Sequence, residues 1–318
     1  MKILVLDDYQ REAARMDLWA RLGDARVEFV HEALATDAQR AARLGGCQAI
    51  VAMRERTPFS AALLRALPEL RLLVTTGMHN AAIDLAACTA QGITVCGAPG
   101  SRDSAGATAE LAWALILALF KRIVPNDAAT RQGVWQPHTV QSLRGKVLGV
   151  AGLGRLGRQV AQVGAAFGMR VIAWSPHLTP ERASAAGAEY RDKAAFFAEA
   201  DVVSLHLVLG EGTRGIIDAH DLAAMRRGAF LVNTSRAGLV APGALVEALQ
   251  KGWIAGAGLD VFDTEPLPAE DPIRQCPNVL LSPHVGYVTN DNLQAFYGNA
   301  VAAIEAWQAG KPVNVLNP

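Results

Sequence analysis

"KVLGVAGLGRLGRQVAQVGAAFG", Lys146 to Gly168, decides how this chain folds. A short β-branched run ends at Ala151, Gly152, Gly154 and Gly157 follow as G-x-G-x-x-G, and apolar residues recur at helical spacing from about Arg155. The first glycine permits a tight turn, the second lets the backbone approach a pyrophosphate, and the third lets helix and strand pack closely. The unpaired N–H groups at the helix start then face negative charge. Strand, glycine loop and helix in that order predict a Rossmann unit that binds a dinucleotide.

Working outward, the same rhythm continues on both sides. "MRVIAWS", "DVVSLHLV", "GAFLVNTS", "GAGLDV" and "NVLLSPH" follow the loop, and "KILVL", "RVEFV", "QAIVAM", "RLLVTTG" and "GITVCGA" precede it, with helical patterns between them. That alternation predicts an α/β chain with two doubly wound parallel-sheet domains. Turn formers collect in "GAPGSRDS" ahead of an apolar helix that starts near Gly106, and again in "GYVTNDN". The last stretch has a helical pattern and no strand, so it is expected to return to the first domain. We therefore expect a Rossmann cofactor domain, residues 100–287, inserted in a flavodoxin-like substrate domain made of 1–99 plus 288–318, with a hinged cleft at the two crossings.

Composition narrows the function. A length of 318 residues suits about two domains, and 51% hydrophobic residues suit well-buried cores. Thirty basic residues balance thirty acidic ones, so no global field draws nucleic acid or an anionic membrane, and a small molecule is the expected partner. The longest apolar run, Leu111 to Phe120, is about half a bilayer span. Met1 leads directly into a strand pattern without the regions of a signal peptide, which predicts a cytoplasmic protein. Cys47, Cys88, Cys96 and Cys276 are scattered and no H-E-x-x-H occurs, so reduced thiols and no metal are expected.

Rossmann sites for NAD carry an acid at the end of the strand after the glycine loop, where it bonds the ribose hydroxyls. Here "RVIAWSPHLTP" puts Ser175 at that place, which permits a 2′-phosphate; Arg155, His177 and Arg182 are candidate phosphate partners. NAD(P)H is the expected cofactor, with the choice between NAD and NADP open. Three charged residues also follow strands: Arg236, Glu265 and His284. Strand carboxyl ends converge on ligands in open α/β sheets. A guanidinium can grip a carboxylate bidentately, an imidazole can exchange the proton that accompanies hydride transfer, and a neighbouring carboxylate orients that ring.

Together "GLGRLG", "NTSRAGLV", "GLDVFDTEPLP" and "LLSPHVG" resemble the D-isomer-specific 2-hydroxyacid dehydrogenase family along nearly the whole chain. The resemblance implies a catalytic constellation of Arg236, Glu265 and His284. It also implies that Asp260 holds the nicotinamide carboxamide, and that Thr213, Thr234 and the Arg155–Leu156 backbone touch the cofactor. The family reads substrate carboxylates with backbone N–H groups of a loop that here is "TTGMHNAAIDL", which assigns Thr76, Gly77 and Met78 to the substrate, although Met78 and His79 depart from the usual pattern. Arg54 resembles a cleft-mouth position of one subgroup, a likeness that implies a second anion contact. Formate dehydrogenases of this fold carry Gln where this chain has Glu265. "SAGATAELAWAL" resembles a helix that commonly forms the dimer interface, hence an expected homodimer. The implied activity is reduction of a small 2-keto acid of the glyoxylate or hydroxypyruvate class; a cofactor-sensing corepressor on the same fold is the alternative.

Overall fold

The computed structural model describes residues 1–317, apart from the side chains of Asp103 and Ala105. Its first compact unit comprises Met1–Ala105 and the chain from Val288 onward. Apolar runs there form β1 (Lys2–Val5), β2 (Arg26–Phe29), β3 (Ala49–Ala52), β4 (Leu72–Thr76) and β5 (Thr94–Ala98), joined through α1 (Asp37–Leu44), α2 (Ala61–Arg65) and α3 (Leu85–Ala90). All pairs are parallel, in the order β2-β1-β3-β4-β5, the flavodoxin-like winding. Strands β3 and β4 are buried throughout, as strands covered on both faces must be. Thr36 opens α1 through a capping box with Gln39, which satisfies two otherwise unpaired N–H groups.

The second unit, Gly106–Tyr287, is the Rossmann half. It contains α4 (Ala107–Lys121), α5 (Ile123–Arg131), β6 (Val147–Ala151), α6 (Arg155–Ala166), β7 (Arg170–Trp174), α7 (Pro180–Ser184), β8 (Glu189–Tyr190) and α8 (Lys193–Glu199). After them come β9 (Val202–Leu205), α9 (Ala219–Ala224), β10 (Phe230–Asn233), α10 (Ala244–Gln250), β11 (Gly256–Leu259) and β12 (Val279–Leu281). The parallel order is β12-β11-β10-β9-β6-β7-β8, so the winding reverses between β6 and β9. A ligand crevice belongs at that switch point, outside the strand carboxyl ends. Along β9 successive residues feed opposite cores: Val202 packs with Trp113, Ile116 and Phe120 of α4, whereas Val203 and Leu205 pack with Phe196, Phe197 and Leu222.

The final helix, α11 (Asn290–Gln308), is capped by Thr289 and buries Leu293, Phe296, Tyr297, Val301 and Ile304 in the first unit, against β4 and β5. The first crossing between units falls at Ala105 and Gly106, later than the expected 99/100 boundary. Hydrogen bonds explain the difference: Asn299 donates to the Pro99 carbonyl at 2.7 Å, and the Ser101 N–H donates to Asn292 at 3.0 Å, so this stretch is tied to α11. Each of the eleven strands expected from sequence forms, and a two-residue strand, β8, too short to leave a periodic signal, joins them.

Candidate active site

The glycine loop fits a dinucleotide on steric grounds. A Cβ on Gly157 would lie 2.0 Å from the Gly152 carbonyl oxygen, and one on Gly152, at φ +98°, would meet the His206 and Leu207 backbone at 2.8 Å. Around Gly154 a Cβ would have open space. Gly154 caps α6 without a side-chain bond, and Arg158 is the first residue of that helix to donate back, to the Gly154 carbonyl at 3.0 Å. The N–H groups of Arg155, Leu156 and Gly157 thus lack intrahelical partners, the arrangement that receives a pyrophosphate. The Thr234 hydroxyl, at the end of β10, is buried without a partner among the described residues, so it has bonding capacity for a ligand. Thr213 differs: its hydroxyl donates to the Val208 carbonyl at 2.7 Å and accepts from the Gly210 N–H at 2.8 Å, so it chiefly holds its own loop.

Ser175 directly follows β7 and starts a turn in which the Leu178 N–H donates to its carbonyl. Arg182 Nη1 donates to the His177 carbonyl at 3.0 Å, which holds a guanidinium at this turn. Arg155 is exposed at the first position of α6.

Adjacent strands β10, β11 and β12 end in register at Asn233, Leu259 and Leu281, and each leads into one of the charged residues. Neighbouring strands lie about 4.8 Å apart, so side chains leaving these ends can reach a common point. His284 Nδ1 lies 2.5 Å from Glu265 Oε2, while Glu265 Oε1 accepts from the Phe262 N–H at 2.9 Å. With Nδ1 engaged, Nε2 is the nitrogen able to exchange a proton with a ligand. Tyr287 packs edge-on against the imidazole, ring centres 5.6 Å apart. His284 itself is left-handed at φ +55°, a strained state for a residue with a Cβ. Arg236 stands at the turn after β10, where Asn233 donates to its carbonyl at 3.0 Å and Ser235 donates to the Leu207 carbonyl at 2.7 Å.

Asp260 sits 1% exposed beneath the His284 loop. Burial pushes its carboxyl up, while the bonds from Ser282, Val285 and Gly286 and the charge of His284 oppose that rise. His206 follows β9 with Nε2 2.8 Å from the Ser204 hydroxyl, and burial pushes its imidazole down to about 4.

In the first unit, Arg54 takes φ +51° after β3; its N–H donates to Thr76 Oγ1 at 2.9 Å and its carbonyl accepts from Asn80 at 2.6 Å. The guanidinium lies on Gly77, where a Cβ would come within 2.0 Å of Nη1. The backbone reading of this loop needs correction. Thr76 is fully buried, and the Gly77 N–H is spent on the Ala98 carbonyl at 2.6 Å. Of the three residues expected to contact substrate here, Met78, 47% exposed, retains an amide with no bond to another described residue. Sequence reasoning passed over Ser282, Gly286 and His206; a hydroxyl two residues before the histidine at a strand end was the available signal for the first.

Among the described residues no helix is long and apolar enough to cross a membrane, and no His, Cys, Asp and Glu cluster could hold a metal ion. A family model described as "D-isomer specific 2-hydroxyacid dehydrogenase, NAD binding domain" matches residues 113–286. The glyoxylate reductase of Aeropyrum pernix is 40% identical over 265 residues, which are 80% of this chain and 78% of that protein. The D-3-phosphoglycerate dehydrogenase of Mycobacterium tuberculosis is 38% identical over 74% of this chain and 45% of its own length. A solved phosphoglycerate oxidoreductase from Vibrio cholerae superimposes with a TM-score of 0.92 at 37% identity, covering 98% of this chain and 99% of that one.

Proposed function

Since the chain belongs to the D-isomer specific 2-hydroxyacid dehydrogenase family, an oxidoreductase acting between 2-keto and 2-hydroxy acids with a nicotinamide cofactor, we propose that it is a cytosolic reductase of glyoxylate or hydroxypyruvate. One observation carries this reading: the 2.5 Å pair between His284 Nδ1 and Glu265, next in the sheet to the strand that presents Arg236. Relatives named as glyoxylate reductases support the substrate class, and the corepressor alternative is not favoured. The four cysteines are free and buried, in keeping with a reducing compartment.

A dinucleotide held by its pyrophosphate at the glycine loop would supply the hydride from its nicotinamide; this chain's side chains would do the rest. Arg236 grips the substrate carboxylate with two parallel N–H donors and polarises the adjoining carbonyl. As the carbonyl carbon is reduced, its oxygen takes the proton from His284 Nε2, which leaves a neutral ring. Glu265 keeps that ring oriented and supplies its counter-charge. Asp260 has one lone pair beyond its three bonds, enough to accept from a carboxamide. In the first unit, Arg54 and the Met78 amide stay proposed as substrate contacts on the family resemblance alone. The lack of a carboxylate at Ser175 and the guanidinium held at the same turn favour NADPH. A homodimer is proposed from exposed apolar residues after α4. Steady-state turnover of glyoxylate, hydroxypyruvate and pyruvate with NADH and NADPH tests the assignment, and absence of turnover with every pairing would refute it.

A further inference from the structure

We infer that Ser282 is a positioning residue for the His284 proton donor and acts through Asp260, which holds both ends of the His284 loop. This rests on the reading of His284 given above. The geometry is explicit. Ser282 Oγ donates to Asp260 Oδ1 at 2.6 Å, the Val285 N–H donates to the same oxygen at 2.9 Å, and the Gly286 N–H donates to Oδ2 at 2.9 Å. The donors thus flank His284 on both sides in sequence, and the loop between them is short and bent back: the His284 N–H donates to the Ser282 carbonyl at 3.0 Å. The Ser282 N–H makes a last sheet bond to the Leu259 carbonyl at 2.8 Å, so the loop's origin is fixed and the carboxylate fixes its return.

A left-handed conformation at His284 persists only where its surroundings over-determine it. Asp260 supplies that constraint. Gly286 allows the approach, since a Cβ there would lie 3.1 Å from Asp260 Oδ2 and 3.3 Å from Thr108. From α4, Thr108 donates to the Gly286 carbonyl at 3.0 Å and fixes the loop from the other side. The clamp needs an ionised carboxylate, because a protonated one would set its O–H against donors. Among described residues the ionisable group facing Asp260 is His284; the remaining partners are the Ser282 hydroxyl and two amides. Burial raises the Asp260 carboxyl, so the clamp is present above that raised value and lost as pH falls through it. Ser282 is one of the groups opposing the rise. Removing its hydroxyl sends the acid limb of turnover to higher pH.

The test compares the full-length wild type with Ser282→Ala and Ser282→Thr, using glyoxylate and the preferred reduced cofactor across pH. Ser282→Ala should lower kcat about tenfold, the scale of losing one bond to a charged group, leave the cofactor KM within about twofold, and shift the acid limb upward. Ser282→Thr, which keeps the hydroxyl, should restore both. An unchanged acid limb in Ser282→Ala overturns the proposal, as does a loss that Ser282→Thr shares. Amide exchange at Val285 and Gly286 gives a readout independent of turnover. Protection should fail at higher pH in Ser282→Ala than in wild type. If wild type turns over no 2-keto acid, the functional reading fails while the exchange data still judge the clamp; equal exchange profiles would sink it.

Discussion

At the scale of single residues, the site depends on which atoms are already engaged. Arg236→Lys keeps the charge and loses the planar fork, so kcat/KM should fall about tenfold or more, in line with a charge-assisted bond of ~1.5–3 kcal/mol. Kinetics matching wild type would remove Arg236 from substrate binding. His284→Ala deletes the Nε2 proton donor but leaves the glycine loop intact; a loss of ~10²–10⁴-fold in kcat with unchanged cofactor affinity is expected. His206 makes a different prediction, on stability. Its folded imidazole is pushed down to about 4, below an unfolded value of about 6.5, so the unfolded chain binds more protons between those values. The stability is present above the unfolded value and lost as pH falls toward 4. Because His206 as a residue is half-buried, the loss is discounted to about 1–2 kcal/mol. Urea unfolding of wild type and His206→Asn at pH 7 and pH 5 measures it: wild type should lose more than the variant, and parallel losses would contradict the assignment.

Elements explain what could be seen beforehand and what could not. The β6–loop–α6 unit was legible because Gly152 and Gly157 are steric necessities, each facing backbone at 2.8 Å or less. The strand ends that lead into Arg236, Glu265 and His284 were legible because the apolar runs stop there, at Asn233, Leu259 and Leu281. The loop after β4 was not, because the fate of the Gly77 N–H is decided by Ala98 on β5, a partner distant in sequence. Nor was the role of Ser282, since its acceptor Asp260 belongs to the end of another strand. The stretch that resembles a dimer-interface helix became α4, whose Trp113, Ile116 and Phe120 are buried in the core. The turn after β7 carries the cofactor prediction. Ser175 supplies no carboxylate, and Arg182 is held there by the His177 carbonyl. Ser175→Asp would add two acceptors for a ribose diol and repel a 2′-phosphate, so the ratio of kcat/KM should move toward NADH by about tenfold. A ratio that stays put, or moves toward NADPH, would place Ser175 away from the ribose.

For the whole molecule the open question is what covers the segment after α4. Helix α5 has nine residues and buries none of them, although isolated helices shorter than about 12–15 residues are marginal in water. Ile123 and Val124 are each 55% exposed, and Val134, Trp135 and Val140 follow at 48%, 78% and 50%. This is the surface to which the proposed homodimer contact is assigned, and a net charge of zero sets no global repulsion against a second copy of the chain. Trp135 is the natural anchor, because a buried tryptophan at an interface centre commonly contributes 2 kcal/mol or more, about a 30-fold change in the dissociation constant. Sedimentation of wild type should therefore give twice the 33.7 kDa chain mass. Trp135→Glu combined with Val140→Glu should return it to the chain mass, because two carboxylates would be buried without partners. The indole should also change in solvent exposure on dilution of wild type, which shifts its emission to the red. A wild type that sediments as a monomer at micromolar concentration, or a double variant that remains dimeric, would show that this segment is not where the copies meet.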